Sequence, residues 1–527
     1  MSEDAVFSSA AVAAPHHLAA QAGRDILAVG GNAIEAMVAM AATIAVVYPH
    51  MNSIGGDGFW LIREPKGKTR AIEACGFAGQ GATIEAYEKV GGIPTRGPRA
   101  ALTVPGTIGG WAAALELSAA LGGKLPLRDL LGPAIRPARE GAQVSASEAR
   151  TAPHNHDDLL KAPGFREAIH PEGAAPAEGA LRRQPKLADT LAHLGESGLD
   201  DFYRGDVGRE LAADLEKLES PVTRADLKAY RARWREPLSV RLKGVTLYNT
   251  PAPTQGLASL VILGIYERLG VARADSFEHF HGLIEASKRA LALRDRVITD
   301  FDRTTADVAH LLSAAFLDKE ASEIDKKRAA AWPLKVDAGD TVWMGAIDRN
   351  GLAVSFIQSV YWEYGSGVVS PSTGVMMQNR GIAFSLDRRS LRALAPGRRP
   401  FHTLNPPLAA FDDGRVLSYG SMGGDGQPQF QAQVASRILK GAGVGDAVAA
   451  PRFLWGRAWG AESVSVKIEE EFDDSIASAL ARAGHEIERK TRADRDGFGH
   501  AGALLRSPKG AVAATHDPRA DGGAEGL

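Results

Sequence analysis

The sequence predicts a layered α/β sandwich, with helices packed over a mostly antiparallel sheet that is covered on both faces. Three observations predict it. Helical patterns dominate residues 108–330 of the 527-residue chain. TVWMGAID (341–348) and LAVSFIQSV (352–360) are strands that are apolar on both faces, joined by Arg349-Asn350-Gly351. GHAGALLRS and GAVAATHD close the chain as a second hairpin around Pro508-Lys509-Gly510. Strands buried on both faces read as near-continuous apolar runs, and helices are what cover such sheets.

Taken in order, the first segment, MSEDAVFSSAAVAAPHHLAAQAG, carries Glu3 and Asp4 where a secretory leader needs positive charge. HLAAQAGRDILAVGG (17–31) is an amphipathic helix that stops at a glycine pair. AIEAMVAMAATIAVVYP (33–49) is the most apolar stretch, but Glu35 and Pro49 bound it too closely for a membrane span, so it reads as a buried helix. NSIGGDGFWLI (52–62) is a glycine turn feeding a strand, and 153–164 and 170–180 are loops. Residues 316–340, FLDKEASEIDKKRAAAWPLKVDAGD, are densely charged and predict an exposed, mobile tail. Strand GRVLSYG (414–420) then runs into SMGGDGQPQ (421–429) and the helix FQAQVASRILKGAG.

Composition narrows the function classes. Hydrophobic residues are 45% of the chain, enough for a large core. At ~150 residues per domain the length suits about three domains or one large α/β unit. The 61 basic and 63 acidic residues give a net charge of −2 with no basic patch, which argues against nucleic acid and anionic membranes as partners. A single cysteine, Cys75, rules out an internal disulfide framework and fits a reducing compartment. The protein is expected to be soluble and cytoplasmic.

One threonine stands out. Gly339-Asp340 ends the charged stretch, and a strand begins on Thr341. A β-branched residue suits a strand. A threonine at a chain terminus, however, also carries its own base: a free α-amine with a pKa of ~7.7–8.0. A cut at Asp340–Thr341, made by the same hydroxyl on the Asp340 carbonyl, would create that terminus. If Arg349-Asn350-Gly351 is a three-residue loop with Gly351 left-handed, Asp348 pairs with Leu352 and Thr341 falls opposite Ser359. A two-residue Asn350-Gly351 turn would instead put Ser359 on the other face. SMGGDGQPQ offers backbone amides at a helix start, suited to a developing oxyanion. It lacks the Gly-Lys-Ser/Thr ending of a P-loop, and a plain tight turn is its simplest reading.

Together these residues resemble the γ-glutamyltranspeptidase family of N-terminal nucleophile hydrolases. GGNAIEA (30–36), NSIGGDGF (52–59), VPGT (104–107), the Asp-Thr junction, YGSG (364–367), GRRPFHTLNP (397–406), SMGGDGQPQ, APRF (450–453) and DPR (517–519) carry the resemblance in order. It implies a self-cleaving precursor with a four-layer αββα fold. Residues 1–340 would form a large chain and 341–527 a small chain, interlocked as one globular unit. It implies Thr341 as nucleophile, Ser359 as assisting hydroxyl, and Gly423 and Gly424 as the oxyanion-hole glycines. No cofactor is implied, and two cleaved pairs could associate further.

The departures from the family pattern bear on substrate. Cys75 stands where γ-glutamyl-binding members carry an arginine, and Tyr361 stands where they carry an asparagine. Ala383 replaces the aspartate that holds an α-ammonium, Arg380 replaces a neutral glutamine, and His402-Thr403 replace a serine pair. An unpaired buried ammonium is costly, so these changes disfavour a γ-glutamyl donor. A new arginine favours a carboxylate approaching from another direction. The expected substrate is a small carboxylate-bearing amide of the oxamate type, with γ-glutamyl transfer and glutaryl-type acylase activity as alternatives. Arg380 is equally readable as a surface arginine beside a glycine bend. Cys75 reads as a small buried residue. His279 and His281 lack HExxH spacing and read as core or cap contacts, and HNHDD (154–158) as a solvated loop, so no metal is expected. A rival of another class is a non-catalytic protein holding phosphate on SMGGDGQPQ, which would run as one chain on a denaturing gel where the enzyme runs as two.

Overall fold

The computed structural model describes residues 4–331, 340–456 and 463–527. Two seven-stranded sheets lie face to face between two layers of helices. The first sheet runs, edge to edge, Gly523–Gly526, Ala11–Ala14, Asp340–Ile347, Ala353–Tyr361, Asp57–Arg63, Thr69–Ala74 and Arg233–Arg235. The second runs Ala5–Phe7, Val512–His516, Ala501–Arg506, Val416–Ser421, Leu408–Phe411, Val245–Asn249 and Leu238–Leu242. All the pairings within these two sheets are antiparallel. Each sheet draws strands from both sides of residue 341.

The apolar pattern explains the layering. Helix Ala33–Val47 is buried along its whole length because it lies between the first sheet and the outer helices. Its start is fixed by Asn32, whose side chain accepts from the Ile34 and Glu35 amides while Glu35 accepts from the Asn32 amide at 2.8 Å. Gly256–Arg268 and Gln427–Leu439 cover the outer face of the second sheet, and Phe277–Val297 packs against both. The charged stretch beginning at 316 departs from the expected exposed tail. Residues Ala314–Ser322 form a helix, and Leu317, Ala321 and Ile324, at helical spacing among the charges, are buried in that same core. Residues 332–339, the rest of the expected tail short of Asp340, lie outside the described residues. Among the described residues, no helix is long and apolar enough to cross a membrane.

Between the sheets, Trp343 forms the tightest contact. Its indole lies where side chains on Gly345, Gly420 and Gly502 would stand: ideal Cβ atoms there would come within 2.8, 2.1 and 2.3 Å of the ring. Its ring nitrogen donates to Ser355 Oγ at 2.9 Å. Two glycines of the second sheet and one of Trp343's own strand therefore make room for one ring. Gly420→Ala or Gly502→Ala should destabilise the protein by about 1–3 kcal/mol through overpacking, read as a lower urea midpoint; unchanged midpoints in both would show that the sheets can separate freely here.

Candidate active site

Gly351 is left-handed at φ 85°, its amide donates to Asp348 O at 2.9 Å, and Asp348 N donates to Leu352 O at 3.1 Å. The three-residue loop is thus the one formed. Register follows from it, with Ile347 opposite Ala353 through to Val342 opposite Gln358. An irregularity then sets Asp340 opposite Tyr361. Thr341 lies within it, 1% exposed, and donates its hydroxyl to Ser359 Oγ at 3.4 Å. Ser359 Oγ also accepts from the Tyr361 amide at 2.8 Å.

A donor reaches the threonine from the side of the second sheet. Gln427, the first residue of helix Gln427–Leu439, donates from Nε2 to Thr341 Oγ1 at 3.4 Å. Its Oε1 accepts from Asn405 Nδ2 at 3.2 Å, and that same amide group donates to Thr403 O at 2.9 Å. Thr403 Oγ1 accepts from both terminal nitrogens of Arg380 at 3.4 Å. Thr341, Ser359, Arg380 and Thr403 are therefore joined through two side chains, Gln427 and Asn405, that sequence reasoning did not single out. Gln427 sits inside the quoted SMGGDGQPQ, but nothing in the string says which way it points.

Arg380 is 1% exposed, and its guanidinium carbon stands 3.7 Å from the centre of the Tyr361 ring. Burial lowers its proton affinity, opposed by Tyr361 and Asp57, yet an arginine stays charged in proteins. Among the described residues, no carboxylate forms an ion pair with it. Tyr361 adopts φ 85°, a left-handed conformation that costs a non-glycine residue of order 1–3 kcal/mol and concentrates at functional sites. Ala383 closes the short 3-10 turn Arg380–Ala383 and supplies no charge.

The glycine loop is braced from behind. Gly423 has φ 123° and Gly424 φ 52°, both left-handed. Gln255 Nε2 donates to Gly424 O at 2.8 Å and to Thr403 O at 2.7 Å, tying the loop to the arginine side of the site. Arg294 in turn holds Gln255 Oε1 at 2.7 Å and forms a buried ion pair with Asp425. These braces come from helices Gly256–Arg268 and Phe277–Val297, far away in sequence. Asp425 itself is the fifth residue of SMGGDGQPQ.

His402 is fully buried, with Nε2 3.3 Å from Asp57 Oδ2. Cys75 is buried beside Glu73 and Asp57, and its thiol is pushed well above its ordinary range by burial and then by those carboxylates. His279 Nδ1 meets the Tyr266 hydroxyl at 2.8 Å. His281, Glu285 and His485 do gather within metal-ligand reach of one another. Their polar atoms are already engaged, however: Lys288 holds Glu285 Oε1 at 2.7 Å, Ala330 N donates to Oε2 at 3.2 Å, and His281 meets His485 at 2.9 Å and Asp325 O at 2.8 Å.

A buried threonine hydroxyl at a strand start, between two stacked antiparallel sheets enclosed by helices and met by the helix that follows a left-handed glycine pair, is the architecture of an N-terminal nucleophile hydrolase. Residues 19–527 match the family model described as gamma-glutamyltranspeptidase, and the chain belongs to that family. It is 51% identical to the oxamate amidohydrolase proenzyme of Klebsiella pneumoniae subsp. pneumoniae over 516 residues, 97% of each chain. It is 37% identical to a glutathione hydrolase-like YwrD proenzyme of Bacillus subtilis over 532 residues, the full length of both. The structure matches that of a cephalosporin acylase from Bacillus halodurans with a TM-score of 0.91 and 34% identity, covering 100% of this chain and 97% of that one.

Replacing Arg294 by alanine removes the cation that pairs with the buried Asp425 carboxylate. Breaking a buried pair in this way costs about 3–5 kcal/mol, so Arg294→Ala should unfold at markedly lower urea. A midpoint equal to that of the parent would mean that Asp425 does not depend on Arg294.

Proposed function

We propose that this chain is a self-cleaving amidohydrolase that uses Thr341 to hydrolyse a small carboxylate-bearing amide of the oxamate type. The observation that carries the reading is Arg380: a buried guanidinium without a carboxylate partner among the described residues, stacked on Tyr361 and linked through Thr403, Asn405 and Gln427 to the nucleophile. A buried charge of this kind calls for an anion, and a substrate carboxylate supplies it. Ala383 offers no partner for an α-ammonium.

The chemistry runs twice through the same oxygen. In the uncut chain Thr341 Oγ1 attacks the Asp340 carbonyl carbon. Its proton passes by way of the Ser359 hydroxyl to the departing Thr341 nitrogen, and water hydrolyses the resulting ester. The freed α-amine then serves as base. Thr341 attacks the substrate amide carbonyl, the Gly423–Gly424 loop receives the oxyanion, and ammonia leaves. Water hydrolyses the acyl ester, so that oxamate and water give oxalate and ammonia. The products of the first cut, residues 1–340 and 341–527, stay paired because both sheets contain strands from each. Cytoplasmic residence fits the single cysteine.

Thr341→Ala should leave an intact, folded, inactive precursor on a denaturing gel, and Thr341→Ser should keep part of both activities. Normal cleavage in Thr341→Ala would remove Thr341 from the mechanism. In an amide panel on the cleaved protein, oxamate should exceed γ-glutamyl-p-nitroanilide, and Arg380→Ala should weaken carboxylate binding by about 2–5 kcal/mol while self-cleavage continues. Efficient γ-glutamyl turnover with oxamate inert would overturn the substrate assignment.

A further inference from the structure

Asp57 opens strand Asp57–Arg63 and is the cross-strand partner of Ser359, the residue that receives the Thr341 hydroxyl. Cross-strand partners share a face of the sheet, and the Thr341 hydroxyl reaches Ser359 on that face, so Thr341, Ser359 and Asp57 form a row across three adjacent strands. One Asp57 oxygen is fully used: Oδ1 accepts from Gly76 N at 3.0 Å and Gly106 N at 3.1 Å. The other is not. Oδ2 faces His402 Nε2 at 3.3 Å without hydrogen-bond alignment, with the Gln378 side chain as a further polar neighbour of the carboxylate, and among the described residues neither His402 ring nitrogen has a hydrogen-bond partner. Asp57 is 1% exposed and His402 0%. Unmade hydrogen bonds at such depth are expensive, and a native structure keeps them where something else is to bind or a proton is to be exchanged.

The charges around the pair are few. Arg380 acts on both groups. Glu73 is held by Arg235 at 2.7 Å and Arg399 at 2.8 Å, and Arg399 also acts on His402. The neighbouring Cys75, Tyr203 and Tyr230 have their proton affinities raised by burial and stay neutral. Burial pushes the Asp57 carboxyl up to about 7, against the Gly76 amide, Gln378, Arg380 and the Gly106 amide. His402 is held far below its ordinary range by burial, then by Arg380 and Arg399.

We propose that Asp57, backed by neutral His402, decides which acyl charge the pocket accepts. With the carboxyl protonated, Arg380 is left to pair with a substrate carboxylate; with it ionised, Asp57 neutralises Arg380 and the pocket turns away anions while still admitting neutral amides. An anion binding above neutrality therefore takes a proton from solvent onto Asp57. This rests on the oxamate-type reading of Arg380.

The test is KM for oxamate on the cleaved protein between about pH 5.5 and 9, with the neutral diamide oxamide as a competitive inhibitor in the same assay. The α-amine of Thr341 also titrates here, at ~7.7–8.0, but it is common to the parent and to Asp57→Asn. That variant keeps an oxygen for the Gly76 and Gly106 amides. In the parent, KM for oxamate should rise about tenfold per pH unit above neutrality while the Ki of oxamide stays flat. In Asp57→Asn both should be flat. A flat KM in the parent, oxamide rising in parallel, or the same rise persisting in Asp57→Asn would overturn the proposal and leave the substrate reading standing. Should Asp57→Asn fail to fold and cleave, the oxamate–oxamide comparison in the parent decides alone. Oxamate left unhydrolysed at every pH would overturn the substrate reading and this proposal with it.

Discussion

Everything at the site depends on how the two sheets meet, and Trp343 sets that meeting. Its ring fills space cleared by glycines on three strands, which fixes the spacing and lateral position of the sheets at one point. Thr341 is two residues earlier, within the ladder irregularity, and its hydroxyl meets Ser359 and Gln427. It therefore looks into the layer between the sheets, where Gln427 arrives from the other side. Ser359 and Asp57 share that face, continuing the parity of the buried Ile357 and Phe59. The row of Thr341, Ser359 and Asp57 is the polar end of an otherwise apolar layer.

That position explains why the site can hold charge without water. Arg380 is buried, stacked on a tyrosine and supported by a single threonine hydroxyl. Desolvating a guanidinium with so little compensation is unfavourable by itself. The rest of the fold bears that cost through its large core, and under the proposed function the cost becomes selectivity for an anion of the right size. The left-handed Tyr361 belongs to the same arrangement. Its strained backbone turns the ring under the arginine while its amide holds Ser359 Oγ.

Much of this was legible in the string of residues, and the limits have physical causes. The strands around 341–360 announced themselves because burial on both faces leaves continuous apolar runs, and Gly351 fixed their register through a turn that only a left-handed residue makes. Counting put Thr341 opposite Ser359; the ladder instead breaks at Thr341, yet their hydroxyls meet at 3.4 Å. The family resemblance pointed to Arg380, Tyr361, His402 and Thr403, and the structure gathers them. Gln427, Asn405, Gln255 and Arg294 were not legible, because their roles exist only after helices distant in sequence dock on the glycine loop. Asp57 lay in plain sight in NSIGGDGF, but its strand pairing with Ser359 is a tertiary fact. The helix at Ala314–Ser322 was hidden by charge: three apolar residues at the right spacing outweighed the acidic and basic ones around them.

The threading of both sheets by segments from before and after residue 341 has a consequence for how such a protein ages. While the backbone is whole, the two halves hold each other at the high effective concentration of a single molecule, and folding is guided by that tether. Removal of one peptide bond leaves the contacts in place but takes the tether away. A cleaved pair that is pulled apart must then find its partner by diffusion, with unpaired strand edges exposed meanwhile. Its persistence is therefore governed by the rate of coming apart rather than by an equilibrium. A molecule cut in this way would be assembled once, under instructions that it then erases.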